Sequence, residues 1–313
     1  MSVKPEKIKI GTRGSPLALA QARTVRAELG RVAPEIETEL VVIKTSGDWR
    51  PSDGEARLEE SDGGKGLFAK EIEEALLAGR IDAAVHSMKD METVLPEGLI
   101  IPFMLPREDA RDAFLSNKAQ KIGGLPAGSA VGTASVRRAA FLLSKHPDLK
   151  MVPFRGNVQT RIDKMRAGQV DATFLACAGL NRLGLAHEIS SILEPEEMLS
   201  AAGQGAVGIE VREQDVSKLS VIGQICCNKT NLCVSTERAV LAALDGSCHT
   251  PVGVYAQMEN EQMFLRAQVV SLDGQQSFYE EALFRVSGLE EAQGFGRDVG
   301  EILKARIPAG ILS

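Results

Sequence analysis

Apolar and polar positions alternate along the chain with two periods. Short apolar runs such as Ile8-Lys9-Ile10 and Ile81-Asp82-Ala83-Ala84-Val85-His86 have strand length, and longer Ala/Leu-rich stretches such as 17–29 have helix length. The first strand leads into Gly11-Thr12-Arg13-Gly14-Ser15-Pro16. Ser15 suits a helix N-cap and Pro16 the first helical position, so the pattern predicts a helix over 17–29. A second strand over 39–45 runs into a polar, Gly/Pro-containing stretch, 46–64, which reads as a mobile surface loop. A helix over 66–78 follows, stopping at Gly79 before the strand that begins at Ile81.

A diluted form of this pattern returns. Val131-Gly132-Thr133-Ala134-Ser135 again sets Gly-Thr between a strand and a helix, and Ala167-Gly168-Gln169-Val170-Asp171-Ala172 echoes Ala78-Gly79-Arg80-Ile81-Asp82-Ala83. The two offsets differ, so this is no tandem repeat; it fits two α/β domains of related design. The C-terminal part differs in kind. It predicts a helix over 236–244 capped by Ser235, strands near 252–258 and 264–270, a turn at Asp273-Gly274, a strand over 277–286 and a helix over 289–305. That is a small α+β domain with an antiparallel sheet.

Composition narrows the function classes. A chain of 313 residues holds two or three domains, and 44% hydrophobic with 25% charged residues is the balance of a globular protein. Aromatic content of 4% argues against a base-stacking platform, and a net charge of −6 against a general nucleic-acid binder. No apolar window is long enough to span a membrane, and the polar opening Met1-Ser2-Val3-Lys4 lacks a signal core, which points to the cytoplasm. Five cysteines (Cys177, Cys226, Cys227, Cys233, Cys248) read as free thiols in a reducing compartment. Their spacing matches no usual metal pattern, and Cys177 reads as a core residue of an apolar strand.

The total charge hides a gradient. From Ser129 to Leu185 nine Lys and Arg face three Asp, a net +6 that leaves −12 for the rest. Arg137-Arg138 stands at a predicted helix start, where cations oppose the helix dipole and gain nothing structurally, so the pair reads as an anion grip. Helix N-termini after the Gly-Thr segments, with Thr12, Ser15, Thr133 and Ser135 as hydroxyl donors, suit the same ligand class. His86-Ser87-Met88-Lys89-Asp90 closes an apolar strand, where ligands of α/β sheets bind. Lys89 and Asp90 form a local ion pair there, or Asp90 serves a cationic centre; both readings stand at this point. Lys65 in Gly63-Gly64-Lys65-Gly66-Leu67 lacks the Ser/Thr of a P-loop. Cys248, in Gly246-Ser247-Cys248-His249-Thr250-Pro251, is either an exposed nucleophile or an inert loop thiol.

Taken in order, these segments resemble the porphobilinogen deaminase family. The resemblance also rests on Arg107-Glu108-Asp109, Arg111-Asp112-Ala113-Phe114, Arg155-Gly156-Asn157-Val158-Gln159-Thr160-Arg161, Ala178-Gly179-Leu180-Asn181-Arg182 and Gly203-Gln204-Gly205-Ala206-Val207-Gly208. It implies two lobes like those of type II periplasmic binding proteins and a third domain, with bounds at 1–105 plus 203–223, 106–202 and 224–313. It implies head-to-tail polymerisation of four porphobilinogen molecules to hydroxymethylbilane with release of ammonia, on a dipyrromethane cofactor held through a Cys248 thioether. Asp90, with Lys89, is then catalytic and stabilises the positively charged methylenepyrrolenine intermediate. Lys65, Ser87, Lys89, Asp90, Thr133, Ser135, Arg137, Arg138, Arg155 and Gly156 hold the cofactor. Arg13, Ser15, Arg155, Arg161, Arg182 and Gln204 hold substrate carboxylates. The chain is expected to act as a monomer, without metal, nucleic acid or membrane partner. Ala134, Ser61 and Met91-Glu92 depart from the family pattern, where Ser, Lys and Val-Pro are usual. A non-catalytic, two-lobed small-anion-binding module is the competing reading.

Overall fold

The computed structural model describes residues 5–45, 69–246, 250–308 and 310–311. The loop expected over 46–64, Ser61, Lys65 and Cys248 lie outside the described residues.

Strands β1 (Lys7–Arg13), β2 (Glu37–Ile43), β3 (Ala83–Ser87), β4 (Leu99–Met104) and β10 (Val207–Arg212) form one sheet in the order β2-β1-β3-β10-β4. A second sheet has the order β7-β6-β8-β5-β9, from β5 (Asp112–Ser116), β6 (Ala130–Gly132), β7 (Lys150–Val152), β8 (Ala172–Ala176) and β9 (Ser191–Leu193). The two sheets share one design. The first three strands of each order run parallel, and the fourth, β10 or β5, is antiparallel to both its neighbours. The fourth strand of each sheet follows the edge strand of the other in the chain. Two crossover segments, 105–111 and 194–206, therefore tie the sheets together.

The duplicated design expected from the two echoes is present in atomic detail. Ser15 caps α1 (Pro16–Val32) by accepting from Ala18 N, and Ser135 caps α3 (Val136–Lys145) by accepting from Arg138 N. Gly79 and Gly168 follow α2 (Lys70–Leu77) and α4 (Val158–Arg166) with φ of 69° and 77°, the left-handed geometry that ends a helix. Asp82 and Asp171 then accept from the backbone of the neighbouring strand, Lys9 N and Ala130 N, both at 2.8 Å.

Central strands β3, β5, β8 and β10 are buried on both faces, which is why apolar residues predominate along them. In the first sheet Ile8, Ile10, Val85 and Ile209 pack with Val25 and Leu29 of α1, and Ala84 packs on the other face with Ile72 and Leu76 of α2. In the C-terminal part, α6 (Asn228–Ala243) and α7 (Leu289–Lys304) cover an antiparallel sheet of β11 (Val252–Glu259), β12 (Gln262–Val270) and β13 (Ser277–Arg285).

Several expectations are corrected. α6 begins at Asn228, two turns before the predicted start, and Ser235 is an interior residue donating to Asn231 Oδ1 at 3.3 Å. Its first turn, Asn228-Lys229-Thr230-Asn231, is polar, but Thr230 and Leu232 are buried, so packing overrides weak propensity. Cys177 is buried, as expected, but opens the helix α5 (Cys177–Arg182) rather than sitting in a strand. Gly11-Thr12-Arg13 continues β1, so no turn begins there. The Thr12 hydroxyl is fully buried and donates to Ala18 O at 3.2 Å, which takes it away from any ligand.

Candidate active site

β3 ends at Ser87, and a 3₁₀ turn, Met88–Asp90, follows. Asp90 is exposed and lines a pocket with Arg13 at the end of β1, Ser15 at the cap of α1, and Gln21 and Ser87. Ser87 and Gln21 exchange hydrogen bonds, 2.8 Å from Gln21 Nε2 to Ser87 Oγ and 3.2 Å from Ser87 Oγ to Gln21 Oε1. Buried Gln21 thus fixes the pocket floor.

Lys89 is partly buried on the other side of the turn. Burial pushes its ammonium down to about 8, against the opposing pull of Asp90, and the charges of Arg138, Asp112 and Arg137 act on it too. The turn therefore stands next to the cationic group of the second sheet.

That group is a buried network. Asp112 at the start of β5 is fully enclosed; Arg138 Nη2 reaches its Oδ1 at 2.6 Å and Arg137 Nη2 its Oδ2 at 2.8 Å. Arg137 also donates to Leu199 O at 2.5 Å and Arg138 to Phe174 O at 2.8 Å. Burial alone would raise the Asp112 carboxyl, but the two guanidiniums outweigh it and hold it well below the usual range. The arginine pair at the start of α3 thus has a structural partner after all. The sequence expectation of no structural gain fails because the counter-charge comes from a strand 25 residues upstream.

Gln204, expected at substrate, is buried in the second crossover, and its Nε2 donates to Ala110 O at 2.6 Å and Asp112 Oδ1 at 3.0 Å. Arg182, the last residue of α5, donates to Gly205 O at 2.8 Å. Both join second-sheet elements to the crossovers. Ser135 N donates to Thr133 Oγ1 at 3.1 Å, which ties those two residues into the α3 entry. Arg155 and Gly156 form the loop between β7 and α4. Gly156 has φ of 125°, its carbonyl accepts from Arg161 Nε at 2.8 Å, and Lys164 Nζ donates to Arg155 O at 3.1 Å. Arg13, Ser15, Ser87 and Asp90 are therefore brought into one pocket, with Lys89 and the Arg137–Arg138 pair adjoining, while Arg161 of α4 bonds back to Gly156 in the loop that carries Arg155.

Three charged groups have no place in the sequence reading. Glu237 of α6 is fully buried; Arg107 in the first crossover binds it twice, at 2.6 and 3.0 Å, and Gly203 N and Ala256 N donate to it at 2.7 and 2.8 Å. His86 Nε2 lies 2.9 Å from Glu210 Oε2 within the first sheet. Glu73 of α2 faces that pair, and burial together with the Glu210 carboxylate pushes its carboxyl up to about 7. Glutamate inside an apolar helical run, as in Glu237-Arg238-Ala239-Val240, is the signal that could have found the first. Among the described residues no cluster of three or more His, Cys, Asp or Glu could hold a metal ion, and no helix is long and apolar enough to cross a membrane.

Two α/β sheets that exchange strands, with an open carboxylate and flanking cations where the crossovers run, define a two-lobed α/β protein with an anion-accepting site. Family models identify it further. Residues 8–220 match porphobilinogen deaminase, dipyromethane cofactor binding domain, and residues 231–305 match porphobilinogen deaminase, C-terminal domain. The chain is 48% identical over 306 residues to the porphobilinogen deaminase of Paracoccus denitrificans, covering 96% of this chain and 95% of the relative. It is 46% identical to the chloroplastic porphobilinogen deaminase of Oryza sativa subsp. japonica, covering 98% and 86%. Among solved structures, the periplasmic aliphatic sulphonate binding protein of Escherichia coli aligns at 15% identity and a TM-score of 0.41, over 77% of this chain and 71% of that one. The chain belongs to the porphobilinogen deaminase family. Its activity is porphobilinogen deaminase (hydroxymethylbilane synthase) activity in tetrapyrrole biosynthesis, its substrate is porphobilinogen and its cofactor dipyrromethane. The competing reading as a non-catalytic binding module is thereby set aside.

Proposed function

We propose that Asp90 is the carboxylate that carries the chemistry as four porphobilinogen molecules are joined head to tail into hydroxymethylbilane. One observation carries this reading. Asp90 stands open at the C-terminal end of β3, whereas its neighbours Asp112, Glu210 and Glu237 are fully buried. At each addition one C–N bond breaks, ammonia leaves, and positive charge develops on the substrate's aminomethyl carbon. A fixed carboxylate beside that carbon stabilises the charge. It also stands ready to take the proton released when the new C–C bond forms. Lys89, charged at neutral pH, pairs with a pyrrole carboxylate from the other side of the turn.

Dipyrromethane supplies, when bound, the pyrrole carbon on which the chain grows. The donor set suits a ligand rich in carboxylates: Arg137 Nε is buried with no hydrogen-bond partner, and guanidinium forks and hydroxyls are carboxylate donors. In this reading Arg137, Arg138, Arg155, Gly156, Ser87, Thr133, Ser135 and Lys65 hold the cofactor, attached through the Cys248 thiol. Arg13, Ser15, Arg155, Arg161 and Arg182 receive the acetate and propionate groups of incoming and growing pyrroles, while Gln204, buried against Ala110 O and Asp112 Oδ1, acts behind them by holding the crossover. The three sheets support a division at 1–105 plus 203–223, 106–202 and 224–313. We read the enzyme as a monomer of the cytoplasm, although the rice relative is named as chloroplastic.

Asp90→Ala tests the central role. Turnover of porphobilinogen should nearly vanish with the fold intact. Activity within about tenfold of wild type, or ~1.4 kcal/mol of barrier, contradicts it.

A further inference from the structure

The segment that presents Asp90 is a single short 3₁₀ turn, with Met91 N donating to Met88 O at 3.3 Å. Such a turn needs outside support to hold one orientation. At its start Met88 N donates to Ala206 O in the second crossover at 3.1 Å. At its end Arg238 reaches across from α6. Its Nη1 donates to Met91 O at 3.0 Å and its Nη2 to Glu92 O, the two carbonyls directly after Asp90. Arg238 and Lys89 line the same small recess, with Met88 and Ala202.

α6 is itself firmly held. Glu237, the adjacent residue, binds Arg107 of the first crossover, Gly203 of the second and Ala256 of β11. The helix that grips the catalytic turn is thus tied to both crossovers and to the C-terminal sheet. The planar guanidinium of Arg238 donates to the two successive carbonyls from two nitrogens fixed in one plane, a direction that the rotating ammonium of a lysine does not impose.

We propose that Arg238 is a positioning residue, fixing the Met91–Glu92 segment, and with it Asp90 and Lys89, relative to α6. This rests on reading Asp90 as the catalytic carboxylate.

The test uses the holoenzyme and the variants Arg238→Met and Arg238→Lys, with intact mass, steady-state kinetics and hydrogen exchange. Arg238→Met should keep the cofactor mass and lose about 10- to 100-fold in kcat, the cost of a small misplacement of a reacting group. KM should stay within about threefold of wild type. Exchange should quicken in a peptide over 88–93 and stay unchanged in peptides from β3 and α6. Arg238→Lys should fall between the two. Unchanged kcat with unchanged exchange overturns the proposal. So does faster exchange throughout β3 and α6, or an Arg238→Lys protein no better than Arg238→Met. If Arg238→Met does not accumulate, exchange over 88–93 in Arg238→Lys decides alone. Full activity of Asp90→Ala, or a wild-type mass without the cofactor, would instead defeat the underlying reading and leave the exchange result standing.

Discussion

The Asp112 carboxylate meets the Arg138 guanidinium at 2.6 Å in a site closed to solvent, and Arg137 closes on its other oxygen at 2.8 Å. One negative charge thus partly balances two buried guanidiniums where β5 starts and α3 begins. Asp112→Asn removes that balance while keeping the shape. It should lower unfolding free energy by about 3–5 kcal/mol, the cost of stranding a buried charge. Because the folded-state carboxyl is depressed below 3.8, the ion network contributes above the unfolded-state value and is lost only as pH falls through the folded one. The deficit of Asp112→Asn should therefore stay level between about pH 5 and 8 in urea titrations. A deficit under about 1 kcal/mol, as for a surface pair, would contradict the assignment.

Local signals read well and distant partners did not. Ser15-Pro16 announced α1, and the Gly-x-(Ile/Val)-Asp echoes announced the equivalent turns at Asp82 and Asp171, because capping and helix stops are settled within a few residues. Asp112 and Glu237 were missed because their partners lie 25 and 130 residues away. No periodicity reports which buried cation a lone carboxylate will meet. The segment 203–208 entered only through the family resemblance, and the antiparallel place of β10 between β3 and β4 depends on tertiary packing that no local pattern reports. Of the candidate site, Arg13, Ser15, Ser87 and Asp90 come together because they sit at strand ends and one helix cap of a single sheet.

Gly203 presses the second crossover against the catalytic turn. Its φ is 72°, and a Cβ there would lie 2.9 Å from Met88 Cβ and 3.1 Å from Met88 C. Gly203→Ala should lose about 1–2 kcal/mol for the left-handed backbone, plus the displacement of Met88 and Lys89, and its kcat should fall. Gly79→Ala is the control: its φ is 69° but nothing lies within 4 Å. It should show the backbone loss in thermal unfolding and an unchanged kcat. Equal kinetics for the two variants would sever the link between crossover and turn.

Lys89 gives the reaction an alkaline limb. With its ammonium held down at about 8, it loses charge, and with it the grip on a pyrrole carboxylate, as pH rises through that value. The wild-type kcat/KM profile should fall above about pH 8. Lys89→Arg keeps its charge over this range, so its profile should stay flat there whatever its absolute rate. A limb of the same position in Lys89→Arg would assign it to another group.

The covalent anchor is the most direct test of the whole account. Intact-protein mass spectrometry of the purified chain should show an increment of about 420 Da over the sequence mass, two porphobilinogen units less two ammonia, and Cys248→Ser should lack it. A wild-type protein that turns over porphobilinogen at full rate with no added mass, or a Cys248→Ser protein that still carries the increment, would contradict it.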